Sequence, residues 1–266
     1  MINAQIQAEE IRGIENDFLQ MTAHPYLKQY IIEPEIDNDL ISFLLEILKN
    51  TNFLSADEKK EQILSAVFVQ SAFMTHENVI VKDDKNDCDH QKKPTQLTVL
   101  AGDFFSSLYY YMLVKKAHQR IIPVFSHAIQ RINEEKMSLH FFSRDSETEL
   151  MDRIVVVEGC FIKDIAFHYN EVELAELAET FFILKRLVRE KNTHYVADLS
   201  AISASVYNFL ESKHHQPGDE WLTDKVKRWL QRQIDFYSQK LIRQWEACIQ
   251  EDYPYLQDTM SKWMNV

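Results

Sequence analysis

From Glu173 onward, apolar side chains recur at helical spacing. Leu174, Leu177, Ala178, Phe181, Leu184 and Val188 fall at i, i+3, i+4, i+7, i+10 and i+14, one stripe of a helix at 3.6 residues per turn. The same reading along the chain predicts helices near 3–22, 35–50, 56–80, 95–117, 122–136, 146–166, 171–190, 194–213 and 219–249. Capping chemistry marks several starts. Ser55-x-x-Glu58, Ser146-x-x-Glu149 and Asn170-x-x-Glu173 each offer a cap oxygen and a reciprocal acid three residues on. Pro34, Pro94, Pro123 and Pro217 stand near other predicted starts, where a missing N–H costs little. The long last helix carries Trp221, Trp229 and Trp245 among charges, the pattern of a half-buried outer helix.

The breakers are scarce: 4 glycines and 6 prolines in 266 residues, too few for a sheet protein that turns every ten residues or so. The expected class is all-α, one domain over residues 1–266. The stretch 82–94, KDDKNDCDHQKKP, holds no aliphatic side chain and reads as a polar loop, a kind of segment that is often functional or disordered. A net charge of −12 argues against nucleic acid as a main partner, because phosphate binding relies on clustered cations. Cys88, Cys160 and Cys248 are odd in number and scattered, as expected of reduced thiols. The opening MINAQIQAEEIRG lacks the basic and apolar regions of a secretion signal, and no uninterrupted run of 18 apolar residues occurs. The expected location is the cytosol, with no membrane span.

Two stretches carry candidate chemistry. In QLTVLAGDFFSSLYYYMLV, residues 96–114, Gly102 interrupts a strongly apolar helix and Asp103 follows at once. A mid-helix glycine costs about 1 kcal/mol relative to alanine, so it usually marks a close approach. Tyr109, Tyr110 and Tyr111 place aromatics around most of the circumference, as in a helix buried in a core or in a subunit contact. The helix before it ends in His76-Glu77-Asn78, with Val81 three residues beyond, and a literal D-D-x-x-D follows at Asp83, Asp84 and Asp87.

VLAGDFF, Val99–Phe105, resembles the L-A-G-D helix of trans-isoprenyl diphosphate synthases, which follows an H-D-D-x-x-D motif after a short loop. The order of apolar helix, His-acid pair, polar loop and L-A-G-D helix is shared. The resemblance implies an isoprenoid-synthase-like helical bundle. It also implies that His76, Glu77, Asn78 and Val81 occupy a degenerate first aspartate-rich motif. Octahedral Mg²⁺ prefers hard carboxylate oxygens, and here one acid of three remains. Asp83, Asp84 and Asp87 lie six residues further on, a rotation of roughly 240° on a continued helix, so they would face away from the cavity. No second D-D-x-x-D occurs after residue 160; Asp198 and Asp235 are isolated.

This pattern resembles the small, non-catalytic component of two-component medium-chain polyprenyl diphosphate synthases of Gram-positive bacteria, above all the heptaprenyl enzymes. It implies no cofactor on this chain, Mg²⁺ in a catalytic large subunit, and prenyl diphosphates reached only through that partner in a heterodimer. The product would be the side-chain precursor of menaquinone. Leu100, Gly102, Asp103, Phe105, Leu108 and Tyr109 are the implied partner contacts. Two alternatives stay open: a divergent self-sufficient prenyl synthase using Glu77 with the acids at 83–89, and an unrelated helical interaction protein.

Other motifs are incomplete. His76-Glu77 could begin H-E-x-x-H, but position 80 is isoleucine. Cys88-x-His90 has no second ligand pair. His214-His215 and Lys115-Lys116-Ala117-His118-Gln119-Arg120 read as cationic helix ends, the latter also as a diphosphate-attracting patch.

Overall fold

A computed structural model of the chain describes residues 2–26, 29, 35–79, 89–114, 117–140, 146–192, 201–212 and 219–264. Those residues form ten α-helices and no strand, the all-α class expected. In order they are α1 (Ile2–Thr22), α2 (Asn38–Lys49), α3 (Ala56–Glu77), α4 (Asp89–Val114), α5 (Ile122–His140), α6 (Glu147–His168), α7 (Val172–Asn192), α8 (Ala201–Ser212), α9 (Asp219–Ala247) and α10 (Gln257–Trp263). Residue contacts divide the chain into two compact units. One comprises Met1–Arg120 with Pro254–Leu256, the other Ile121–Tyr253 with Gln257–Val266. A single domain over 1–266 was the expectation from sequence.

In the first unit α3 is the central element. Ser55 accepts from the Glu58 N–H and the Glu58 carboxylate takes the Ser55 N–H, so the expected capping box is formed. From Gln62 to Val69 every residue is buried, because helices pack on more than one side of it. Phe18 of α1 stacks on Phe68 with ring centroids 5.3 Å apart. Beneath them α2 contributes Ile41, Phe43, Leu44 and Ile47, all fully buried. Asp37 caps α2 by accepting from the Asp39 and Leu40 N–H groups. Glu46 is a buried carboxylate on this core. It accepts from Lys49 Nζ at 2.5 Å and from the Tyr255 N–H at 2.9 Å, while the Tyr255 hydroxyl donates to Glu10. These bonds hold the 3-10 turn Pro254–Leu256 against α1 and α2.

α4 begins six residues earlier than the sequence indicates. Residues 89–94 of the presumed loop are helical, and Pro94 lies inside the helix rather than before it. Near the N-terminus a proline forgoes one backbone bond at most, which the apolar helix that follows outweighs. The remainder of that stretch, and with it Asp83, Asp84, Asp87 and Cys88, lies outside the described residues.

The second unit is built around α7. Leu174, Leu177, Ala178, Phe181 and Leu184 of the expected stripe are buried, whereas Val188 is only half-buried. Ala175, Phe182, Ile183 and Leu187 are buried as well, so the stripe underestimates the helix: it is enclosed on most of its circumference. α6 packs along it, and the Ser146 capping box starts α6 as expected. The Asn170 box does not form. Asn170 adopts φ 62°, its N–H bonds the Phe167 carbonyl, and the Glu171 N–H bonds the Ala166 carbonyl. That is a Schellman close of α6 with asparagine at the left-handed position, so Asn170 ends one helix instead of starting the next. Cys160 of α6 is buried, and burial pushes its thiol up to about 12, far from a reactive thiolate. Of the three tryptophans expected on α9, Trp229 and Trp245 are buried while neighbouring charges face out, and the side chain of Trp221 lies outside the described residues.

Candidate functional site

The end of α3 and the middle of α4 bring together the two stretches singled out in the sequence, both in the first unit. α3 ends at Glu77. Asn78 is its C-cap, its N–H directed to the Met74 and Thr75 carbonyls at 3.3 and 3.2 Å. The motif positions therefore straddle a helix end: His76 and Glu77 in the last turn, Asn78 at the cap, and Val81 outside the described residues.

Gly102 lies directly against this turn. A Cβ at position 102 would stand 2.5 Å from His76 Cε1 and Nε2, so the close approach that the glycine implied is to an imidazole ring. His76 Nε2 is in turn 3.7 Å from Asp103 Oδ1. The Gly-Asp pair thus receives His76: glycine makes room for the ring, and aspartate stands beside its nitrogen. Below them Ala72 of α3 packs with Ala101 and Phe105 of α4, flanked by Phe104 and Leu108.

The His76 ring is half-exposed and can swing away from a new methyl group. Gly102→Ala gains about 1 kcal/mol of helix propensity and loses a solvent-exposed pair worth at most about 1 kcal/mol. Its unfolding free energy is expected to stay within ~1 kcal/mol of the parent chain, while the His76 imidazole resonances move in NMR spectra. A loss of several kcal/mol would show that the ring is locked in place.

Do these residues suit a divalent ion? Glu77 is one carboxylate, Asn78 a neutral amide used at a helix end, and the Asp103 carboxylate faces His76. Among the described residues no group of three or more His, Cys, Asp or Glu converges on a common point. The donor set does not fit Mg²⁺ with a diphosphate, which calls for several hard oxygens. Asp235 is exposed and accepts from Gln231 one turn away at 2.6 Å; Asp198 lies outside the described residues.

The cationic patch after α4 also resolves differently. His118 is buried, with Nδ1 3.1 Å from Gln62 Nε2 and Nε2 2.8 Å from Glu61 Oε2. It fastens the 3-10 turn Ala117–Arg120 to α3 and is no part of a diphosphate-attracting surface. Lys115 and Lys116, like His214 and His215, lie outside the described residues.

Of the six expected contacts on α4, Gly102 and Phe105 face inward against α3, Leu108 and Tyr109 are half-buried, and Leu100 and Asp103 are exposed. Burial raises the Tyr109 phenol above its ordinary range. Beyond those six contacts, the exposed apolar face continues through Val99, Tyr110, Tyr111 and Val114. Leu100, Asp103, Ser107, Tyr110, Tyr111 and Val114 follow helical spacing, one stripe that is more than 50% exposed at Leu100, Tyr110, Tyr111 and Val114. By length and composition Lys93–Val114 could cross a bilayer. Asp103 in its middle would cost about 3 kcal/mol there, and one face is already buried against α3, which favours a helix that meets protein.

Residues 24–241 match the family described as heptaprenyl diphosphate synthase (HEPPP synthase) subunit 1. Heptaprenyl diphosphate synthase component 1 of Geobacillus stearothermophilus is 28% identical over 134 residues, a segment covering 50% of this chain and 58% of that one. Among solved structures, a heptaprenyl diphosphate synthase from Staphylococcus aureus superimposes with TM-score 0.70 at 11% identity, covering 97% of each chain. A Caulobacter crescentus polyprenyl synthase, complexed with calcium and isoprenyl diphosphate, gives 0.71 at 10% identity, covering 98% of this chain and 96% of that one. These likenesses establish the isoprenoid-synthase-like helical fold.

Proposed function

Since the chain belongs to the heptaprenyl diphosphate synthase subunit 1 family, we propose that it is the non-catalytic subunit of a heteromeric medium-chain polyprenyl diphosphate synthase. The reading of an unrelated helical protein gives way to that family match. One observation carries the proposal: the exposed apolar stripe of α4 lies beside a first motif reduced to a single carboxylate. In this reading a chain that leaves the metal–diphosphate cluster to its partner keeps a surface suited to a second chain.

In this reading a catalytic large subunit covers Leu100, Tyr110, Tyr111 and Val114 and carries the Mg²⁺. It condenses farnesyl diphosphate with isopentenyl diphosphate in E geometry, in the cytoplasm, toward the side chain of menaquinone. This chain holds the partner's active conformation and helps shape the tunnel that sets product length. Displacements of about 1 Å in a preorganised site can cost roughly 10²-fold in rate, so a supporting subunit can govern turnover without touching substrate.

The test assays this chain, the large subunit and their mixture with both diphosphates and Mg²⁺. Long-chain product is expected from the mixture, at least about 100-fold above either component alone. Robust product from this chain by itself would end the proposal and favour a self-sufficient synthase working through Glu77 and the acids at 83–89.

A further inference from the structure

Three glycines of the described helices have contrasting surroundings. Gly102 lies against His76, and Gly159 against Glu179, whose Cγ would stand 2.7 Å from an added Cβ. Gly13, in the middle of α1, is required by neither a turn nor a neighbour: the nearest atom to an added Cβ is Lys60 Nζ, at 4.0 Å. A glycine here weakens the helix, and among the described residues no side chain fills the space.

That space is a cleft of about 490 Å³ between α1, α2, the start of α3 and Tyr255. Its volume is in the range of small-molecule sites. Ile14, Leu45, Leu48, Leu54 and Ile63 supply apolar surface. Lys49, Lys59 and Lys60 stand around it with Glu10 and Asp57. Most of this charge is already matched: Lys49 pairs with Glu46, Lys60 with Asp17 at 2.5 Å, and Glu10 takes the Tyr255 hydroxyl. Lys59 is the exception, since its ammonium donates to the Lys49 carbonyl at 3.1 Å rather than to a carboxylate. Burial lowers its affinity for the proton and Glu10 only partly opposes this, as for a cation with incomplete compensation. The cleft is thirteen residues, or roughly 20 Å along α3, from His76, so it is separate from the degenerate motif.

We propose that this cleft binds a small amphiphile, an aliphatic body lying over Gly13 with one anionic head, phosphate or carboxylate, on Lys59. The site is independent of the subunit proposal and would stand if that failed.

Titration calorimetry on the full chain tests it, with octyl phosphate and octanoate below their micellar concentrations and with octanol and inorganic phosphate as partial ligands. Saturable one-to-one binding is expected for at least one of the two amphiphiles, and which one binds identifies the head group. Octanol and inorganic phosphate are expected to bind at least tenfold more weakly. Lys59→Gln should weaken the amphiphile at least tenfold and leave octanol unchanged. Gly13→Leu fills the cleft while replacing a poor helix former with a good one, so it should fold well and abolish binding. Failure of both amphiphiles to bind would overturn the proposal. So would binding that survives both substitutions, or octanol matching octyl phosphate.

Discussion

Leu100→Glu combined with Tyr111→Glu is expected to abolish long-chain product formation by the reconstituted pair while leaving this chain folded. Both side chains are more than half exposed on the α4 stripe. Surface substitutions of this kind usually change stability by no more than about 0.5 kcal/mol, so the isolated chain should unfold as before. Against a partner the same residues become desolvated. An ionised carboxylate left unpaired in a buried contact costs about 3–5 kcal/mol, and each 1.4 kcal/mol is about tenfold in affinity. Two carboxylates should therefore raise the dissociation constant by at least about 10³.

Leu100→Lys with Tyr111→Lys separates this effect from long-range repulsion. The chain already carries a net charge of −12, so added acids could repel an acidic partner at a distance, whereas lysines would not. Loss of association with either sign points to desolvation at the contact. Phe105→Ala supplies the opposite pattern. It lies on the same helix but is 1% exposed against Ala72 and Ala101, and it should lose about 3–5 kcal/mol of stability without altering the exposed face. Calorimetric association, product analysis and thermal unfolding of the three variants separate contact from core. Undiminished activity of the paired Glu variant would remove α4 from the interface.

Nine of the ten helices, all but the short α10, were legible because amphipathic spacing and short-range capping are both local. Ser55 and Ser146 show this directly, since a serine three residues before a glutamate has few better uses than a capping box. Asn170 shows the limit. Its short amide side chain suits an N-cap and a left-handed close equally well, and the choice depended on the Ala166 and Phe167 carbonyls needing donors. The orientation of α4 was hidden for another reason. VLAGDFFSSLYYYML is apolar almost all the way round, so periodicity cannot tell the face buried on α3 from the face left open. Phe105 and Leu100 therefore look alike in sequence and prove opposite in place. The role of Gly102 was half legible: a close approach was implied, but the identity of His76 as the neighbour is a tertiary fact. That Asn78 and Val81 offer no carboxylate is plain from the sequence alone, while Asp83, Asp84 and Asp87 lie outside the described residues.

Glu190→Ala is expected to produce a large loss of stability through a different mechanism. Arg186 and Glu190, one turn apart on α7, are both buried, with Nε to Oε1 2.7 Å. Glu158 of α6 stands 3.7 Å from the same nitrogen, and the other Glu190 oxygen accepts from buried Ser203 of α8. Removing the Glu190 carboxylate takes the nearest acid from a buried guanidinium in a low-dielectric setting and breaks the bond from the Ser203 hydroxyl. Breaking such a pair costs about 3–5 kcal/mol, whereas replacing both partners with apolar groups of similar volume is often neutral or stabilising. Arg186→Met with Glu190→Leu, and Ser203→Ala to remove the buried hydroxyl, should therefore recover most of the loss, and urea unfolding followed by helical circular dichroism measures both. Since the network belongs to the second unit and the α4 stripe to the first, the apolar triple variant should also support the large subunit as the parent chain does. A stable triple variant that failed to activate its partner would assign these buried charges a part in the complex that their burial alone does not reveal.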